Sequence, residues 1–291
     1  MKLYKASMRS ISFKHEGCEV KVSLIVAVYK DVEALSLIVE SLRTQTYKNF
    51  ELIIAEDNNS DEMRSFVSAI KDLEVIHTSQ EDIGIRKSRS QNNAILASTG
   101  EYIIFIDGDC LPYSTFIESH ALLAKKGQVL AGRRVNLGPK YSEKIRTGKM
   151  SALQLEHKYI QKIPSLWRDC LEGHVEAGIY IKPHSILFQK WIYSKTSSIV
   201  GCNFSCFKSD LIAINGFDES YGETSIPDDT DIEWRLRALG LQVKSCKFTA
   251  NQFHLYHTRS YRDYTGSQYE NDMLERKSQG MFKARQGLDT H

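Results

Sequence analysis

The sequence has no marked excess of either charge. Across 291 residues, 38 Lys and Arg oppose 36 Asp and Glu, for a formal net charge of +2. Charge therefore gives no argument for a nucleic-acid partner, and none is expected. The cysteines form no pairing pattern. All six, at positions 18, 110, 170, 202, 206 and 246, are scattered, and no second close pair faces Cys202 and Cys206. That argues against a four-cysteine zinc site and a disulfide framework, and predicts reduced thiols in a cytoplasmic chain. No run approaches the roughly 20 apolar residues of a membrane span. The opening MKLYKASMRS has no apolar core behind its charges, which predicts no signal peptide. A peripheral contact at the inner face of a membrane stays compatible with all of this. Repeats and low-complexity tracts are absent.

What is present suits a globular chain: 42% hydrophobic and 25% charged residues, enough for one large α/β domain or two small ones. Val22–Tyr29 (VSLIVAVY), Phe50–Ala55 (FELIIA) and Tyr102–Ile106 (YIIFI) are β-branched, continuously apolar runs, as expected of strands buried on both faces. Leu73–His77 is a shorter strand. Between them, Asp31 caps a helix whose Val32, Leu35, Ile38, Val39 and Leu42 recur at helical spacing. Met63 to Ile70 and Arg86 to Ser98 are two more helices. The alternation predicts an α/β fold with a mostly parallel central sheet and helices on both faces. Residues 134–200 show weak periodicity and many basic and aromatic residues; helices and loops without a core of their own are expected. Strands are expected again at Val200–Phe207, Leu241–Phe248 and Phe253–His257, with helices at Asp210–Asn215 and Ile232–Leu239. Residues 1–19 read as an N-terminal extension and 261–291 as a polar tail, helical or partly disordered.

Ligands of such sheets bind outside the carboxyl ends of the strands. Ala27–Lys30, Glu56–Asn59 and Asp107–Asp109 all fall at those ends, so three segments deliver polar groups to one edge. Asp107 and Asp109 flank Gly108 and suit a hard divalent cation such as Mn2+ or Mg2+. A solvated acidic turn explains an Asp-x-Asp alone equally well; its place behind YIIFI favours the metal. Asp57 could accept hydrogen bonds from a base or ribose, or cap a turn. Arg86 opens a helix toward the same edge and suits phosphate. Asp228, Asp229 and Asp231 crowd a helix start beyond what capping needs, and one of them suits a general base. His254 and His257 follow a short strand and could complete a metal shell.

VSLIVAVYKD, FELIIAEDNNSD and EYIIFIDGDC, in this order and spacing, resemble the three nucleotide-sugar segments of inverting family 2 glycosyltransferases with the GT-A fold. Gln80–Arg86 with Asn92 resembles the subgroup related to bacterial chondroitin polymerase. GCNFSCFKSDLIAINGFDE and DDTDIEWRLRALGL resemble the acceptor-side half shared with β-1,4-galactosyltransferases, and FHLYHTRSYRD resembles the segment that closes their metal site. The resemblance covers about residues 20–262. It implies a single GT-A-like domain over 20–260, with a nucleotide-sugar-binding half (20–133) and an acceptor-binding half (134–260). It also implies roles. Ala27 and Tyr29 would line the uracil pocket, Asp57 would bind the base, and Arg86 would face the diphosphate. Asp107, with Gly108 beside it, would contact ribose and the metal shell. Asp109, His254 and His257 would ligate the metal. Asp229 would be the catalytic base, with Asp228 and Asn203 on the acceptor side. Gly222–Asp229 departs from the Trp-Gly-Gly-Glu-Asp of those relatives: the tryptophan and glycine pair are missing and Asp228 fills a glutamate position.

The resemblance implies transfer of a sugar from a nucleotide-diphosphate sugar, a UDP-sugar, to a hydroxyl of a glycan or lipid-linked glycan, with inversion, in bacterial-type surface polysaccharide or lipopolysaccharide assembly. Two rival readings are open. A nucleotidyltransferase usually needs a glycine-rich loop after the first strand, and VAVYKDVEA has no glycine. A non-catalytic sugar-nucleotide-binding module would not need the carboxylates at 107, 109 and 229.

Overall fold

A computed structural model describes residues 20–221, 228–258 and 267–291. The first half alternates as expected: β1 (Val22–Val28), α1 (Val32–Arg43), β2 (Phe50–Glu56), α2 (Asp61–Ala69), β3 (Val75–Ser79), α3 (Lys87–Ala97) and β4 (Tyr102–Asp107). β1 lies between β2 and β4, parallel to both, and β3 pairs parallel outside β2. The period of two explains the layers. Val22, Leu24 and Val26 of β1 join one core with Leu35, Ile38 and Leu42 of α1. Ile25 points the other way, into a second core with Ile53, Phe105 and Ala94 and Ile95 of α3. Burying both faces of each strand is what places helices on both sides. Asp31 caps α1 as expected, its carboxylate accepting from Ala34 N at 2.8 Å.

The second half continues as β5 (Cys110–Pro112), α4 (Phe116–Leu123), β6 (Gln128–Ala131), β7 (Val135–Asn136), α5 (Pro139–Arg146), α6 (Ala152–His157), α7 (Tyr159–Asp169), α8 (Ile186–Phe188), β8 (Phe204–Phe207), α9 (Lys208–Ala213), α10 (Asp228–Ala238), β9 (Gln242–Ser245), β10 (Gln252–His254) and α11 (Ser267–Ser278). The large sheet has the order β3-β2-β1-β4-β8-β6-β9, with β8 antiparallel to both β4 and β6. A second sheet runs β5-β10-β7. The strands expected at Val200–Phe207, Leu241–Phe248 and Phe253–His257 are shorter than their apolar patterns: the chain joins the ladder only at Phe204 in the first, and leaves it at Ser245 and His254 in the other two. β5, β6 and β7 were not expected; at two to four residues they are too short to show a period. Tyr141, Ile145, Leu155, Tyr159 and Leu166 of α5–α7 join the core of β1 and α1, so this stretch has no core of its own.

The polar tail docks through α11. Arg276 is 1% exposed and pairs with Asp218 at 2.5 Å. It also donates to the Tyr221 hydroxyl and the Lys283 carbonyl. Asn92 clamps the same turn from α3: its amide both accepts from and donates to the Phe217 backbone, at 2.8 and 2.9 Å.

Candidate active site

A cleft of about 810 Å³ opens at the carboxyl ends of β1, β2 and β4, where a doubly wound sheet holds its ligands. Ala27, Tyr29, Asp57, Asp107, Gly108, Asp109 and His257, all expected site residues, line it. Gly108 is needed for space, not for an unusual turn. Its φ is not positive, but a Cβ there would stand 2.9 Å from the Ala27 carbonyl oxygen. Side chains are thus excluded where β4 passes closest to β1.

The candidate metal ligands assemble through the small sheet. β10 lies antiparallel to β5, with His254 opposite Cys110, and Leu255 N donates to Asp109 O at 3.0 Å. This register sets His254 Nε2 3.2 Å from Asp109 Oδ2. Beyond the strand end, His257 Nε2 comes to 3.3 Å of the same oxygen. One carboxylate oxygen and two imidazole nitrogens thus lie within 4.8 Å of one another, a set that could hold a metal ion. Burial alone would raise the Asp109 carboxyl, but the two imidazoles, His254 first, hold it well below the usual carboxylate range. His257 is raised above the usual histidine value, chiefly by its hydrogen bond to Asp109.

Asp107 does not join this set. Its Oδ1 meets Lys87 Nζ at 2.7 Å and its Oδ2 lies 3.9 Å from Arg134 Nη1. Lys87 was missed by sequence reasoning, which chose its neighbour. The correction concerns Arg86. Its backbone N–H donates to Asp57 Oδ2 at 2.8 Å, while its guanidinium turns back to the Glu81 carbonyl, and Lys87 is the residue of this pair that lines the cleft. At a helix start, consecutive side chains diverge by about 100°, so one position decides which cation faces the cleft. Asp57 takes Gln80 Nε2 on its other oxygen at 2.6 Å, tying the 80–86 loop to the end of β2.

The cleft mouth is strapped. Lys30 adopts a left-handed conformation (φ 57°), lies over the Tyr29 ring and pairs with Asp82 at 2.6 Å. On the opposite wall Arg146, in the last turn of α5, reaches Asp31 at 2.9 Å. Neither cation was singled out: Lys30 lies in the strand-end segment Ala27–Lys30 without a role of its own, and Arg146 comes from a segment outside the strand ends.

Of the three acids at the start of α10, Asp231 is structural. It is 2% exposed and takes Tyr221 OH, Trp234 Nε1 and the Arg235 guanidinium at 2.7–3.0 Å. Asp229 is half-buried and accepts from Gly201 N at 3.4 Å. The next residue, Cys202, takes a contact from Arg134 Nη1, also at 3.4 Å. A chain of contacts therefore runs from Asp229 to Asp107. The Asp228 side chain and residues 222–227, where the departing acceptor motif falls, lie outside the described residues. Asn203 needs correction: it is fully buried, and its amide serves the Arg133 and Ala250 carbonyls and His120. It holds the core beneath the site and presents nothing to an acceptor.

The family model "Glycosyl transferase family 2" matches residues 23–210. The chain belongs to glycosyl transferase family 2. A second model, "N-terminal domain of galactosyltransferase", matches residues 182–258, the stretch that carries Asp229 and both histidines. Among curated relatives, WfaP of Escherichia coli, a UDP-Glc:alpha-D-GlcNAc-diphosphoundecaprenol beta-1,3-glucosyltransferase, is 34% identical over 88 residues, 30% of this chain and 35% of the relative. An uncharacterized glycosyltransferase of Rickettsia felis is 29% identical over 137 residues, 45% of this chain. The chain spans about a fifth of that relative's length (22%). Two solved structures share the fold. Residues 1–349 of Staphylococcus aureus TarS, in complex with UDP-GlcNAc, match with a TM-score of 0.58 at 14% identity, covering 92% of this chain and 68% of TarS 1–349. The mannosyltransferase PcManGT from Pyrobaculum calidifontis, in complex with GDP-Man and Mn2+, matches with 0.54 at 14% identity, covering 84% and 59%. Among the described residues, no helix of this family member is long and apolar enough to cross a membrane.

Proposed function

We propose that this glycosyltransferase moves a sugar from a UDP-sugar to a hydroxyl of a glycan or lipid-linked glycan, with inversion, in surface polysaccharide assembly. The observation that carries the reading is the convergence of Asp109, His254 and His257 at the end of β4, beside a cleft large enough for a nucleotide sugar. The complexes of TarS with UDP-GlcNAc and of PcManGT with GDP-Man and Mn2+ support it by likeness of fold, and the diphosphoundecaprenol-linked substrate in the name of WfaP supports a lipid-linked acceptor.

In this reading Ala27 and Tyr29 flank the uracil, Asp57 braces the base pocket through the 80–86 loop, and Asp107 meets the ribose. Lys87 exchanges Asp107 for the diphosphate. One carboxylate with two imidazoles fits Mn2+ better than Mg2+, which prefers oxygen alone. A bound ion would neutralise charge on the departing diphosphate. Asp229 takes the proton of the acceptor hydroxyl, whose oxygen attacks the anomeric carbon from the face opposite the leaving group.

The test begins with a screen of UDP-sugars for slow donor hydrolysis in Mn2+, which needs no acceptor. A sugar–UDP bond cleaved to free UDP is expected; release of pyrophosphate from a nucleoside triphosphate would instead mark a nucleotidyltransferase. Asp229→Asn is expected to lower sugar transfer by about 10²–10⁴ while donor binding persists. Full transfer by that variant would remove the base assignment.

A further inference from the structure

The outer face of α7 is built for a surface other than water. Ile160, Pro164 and Trp167 recur at steps of four and three residues, which places them within an arc of about 60°, and Leu171 follows just past the helix end at Asp169. Ile160 is 64% exposed, and Trp167 and Leu171 are each 67% exposed. The opposite face is ordinary core: Tyr159 and Leu166 are buried with β1 and α1. Single exposed apolar residues are common, but a tryptophan in line with two other exposed apolar residues on one helix face marks a contact surface.

The charges around the stripe say what that surface is. His157, Lys158, Lys162 and Arg168 surround it, and the only acid between 157 and 171 is Asp169. Asp169 is turned inward, its carboxylate accepting the backbone N–H groups of Lys140 and Tyr141. Glu172 follows beyond the stripe. The next apolar outcrop, Ile186, Leu187 and Trp191 with Lys190 between them, lies in a stretch, 177–209, that contains no Asp or Glu. Apolar residues with tryptophan on one face and cations at its flanks form the pattern of a helix lying in a lipid interface, where the indole suits the headgroup level and each cation gains about 1 kcal/mol near an anionic surface.

We propose that the outer face of α7 docks the enzyme onto an anionic phospholipid surface, with Trp167 and Ile160 entering the interface and Lys158 and Arg168 meeting the headgroups. It extends the proposed function by naming the surface from which a lipid-linked acceptor is presented.

The experiment is flotation of the full chain with vesicles of phosphatidylcholine, with and without phosphatidylglycerol. The wild type is expected to float with the anionic vesicles, less so at high ionic strength, and the emission of Trp167 to move to the blue. Trp167→Glu and Ile160→Glu are each expected to reduce flotation at least about tenfold, with melting temperature and donor hydrolysis in solution unchanged. A wild type that does not float, or variants that float as it does, would overturn the proposal. So would a wild-type dimer that Trp167→Glu splits into monomers without touching flotation, since the stripe would then join two copies of the chain. Failure of donor hydrolysis with flotation intact would remove the proposed function and leave the docking face standing.

Discussion

Asp109 Oδ2 sits between two imidazole nitrogens, at 3.2 and 3.3 Å, so the same atoms bind a proton or a metal but not both. His257 is raised above its usual value by that carboxylate, and an imidazole must be deprotonated to ligate. Under the proposed function, Mn2+ affinity would be full above the raised value and would fall by up to about tenfold per pH unit below it, as a proton competes for the site. Calorimetric titration with Mn2+ across the acid range is expected to show this slope, and His257→Ala to bind more weakly with the slope reduced by one proton. At this scale the sequence was informative wherever a residue followed a strong strand: Asp57, Asp107 and Asp109 all face the cleft or its ligands. It was blind to direction within one turn, as with Lys87 against Arg86. It was blind to burial as well, as with Asn203, a polar residue that serves carbonyls inside the core.

The elements show the same division. β1, β2 and β4 could be read because burial on two faces demands uninterrupted branched residues. β5 and β7 could not, yet β5 and β10 together bring Asp109 to His254. Beneath them, Glu51 fixes how β1, β2 and the turn into β4 meet. Its carboxylate, fully buried, accepts from Ser23 Oγ at 2.5 Å, from Thr99 N and Oγ1 at 2.6 Å each, and from Gly100 N at 3.1 Å. Burial opposes its charge, but these donors outweigh burial and hold it at about 2. A depressed folded value contributes stability above the ordinary value of 4.5 and loses it as the pH falls toward 2. Glu51→Gln, which cannot replace every accepted bond, is expected to melt lower than the wild type at neutral pH. That difference is expected to close as the pH approaches 2, and a constant gap across the acid range would refute it.

Across the whole molecule, the C-terminal segment braces the site from behind. Arg276 holds Asp218 and touches Tyr221, which donates to Asp231 on the helix that carries Asp229. Removing one partner of a buried ion pair typically costs about 3–5 kcal/mol. Arg276→Ala is expected to lower stability by that order in chemical denaturation and to reduce sugar transfer more than donor hydrolysis, since α10 loses its brace while the cleft keeps its residues. The sequence marked this segment as polar; it could not mark the docking, because a single arginine that becomes buried looks like any surface charge until its partner is known.

The ion pair between Lys87 and Asp107 has a consequence for how a donor is held. The ammonium that would meet a diphosphate already has an anionic companion 2.7 Å away. Under the proposed function, donor entry is a swap of one anion for another, so one ion pair replaces another. Dissolved ions weaken the old pair and the new one alike. The cleft would then select its ligand by shape and by the metal, and would hold it with little regard to ionic strength.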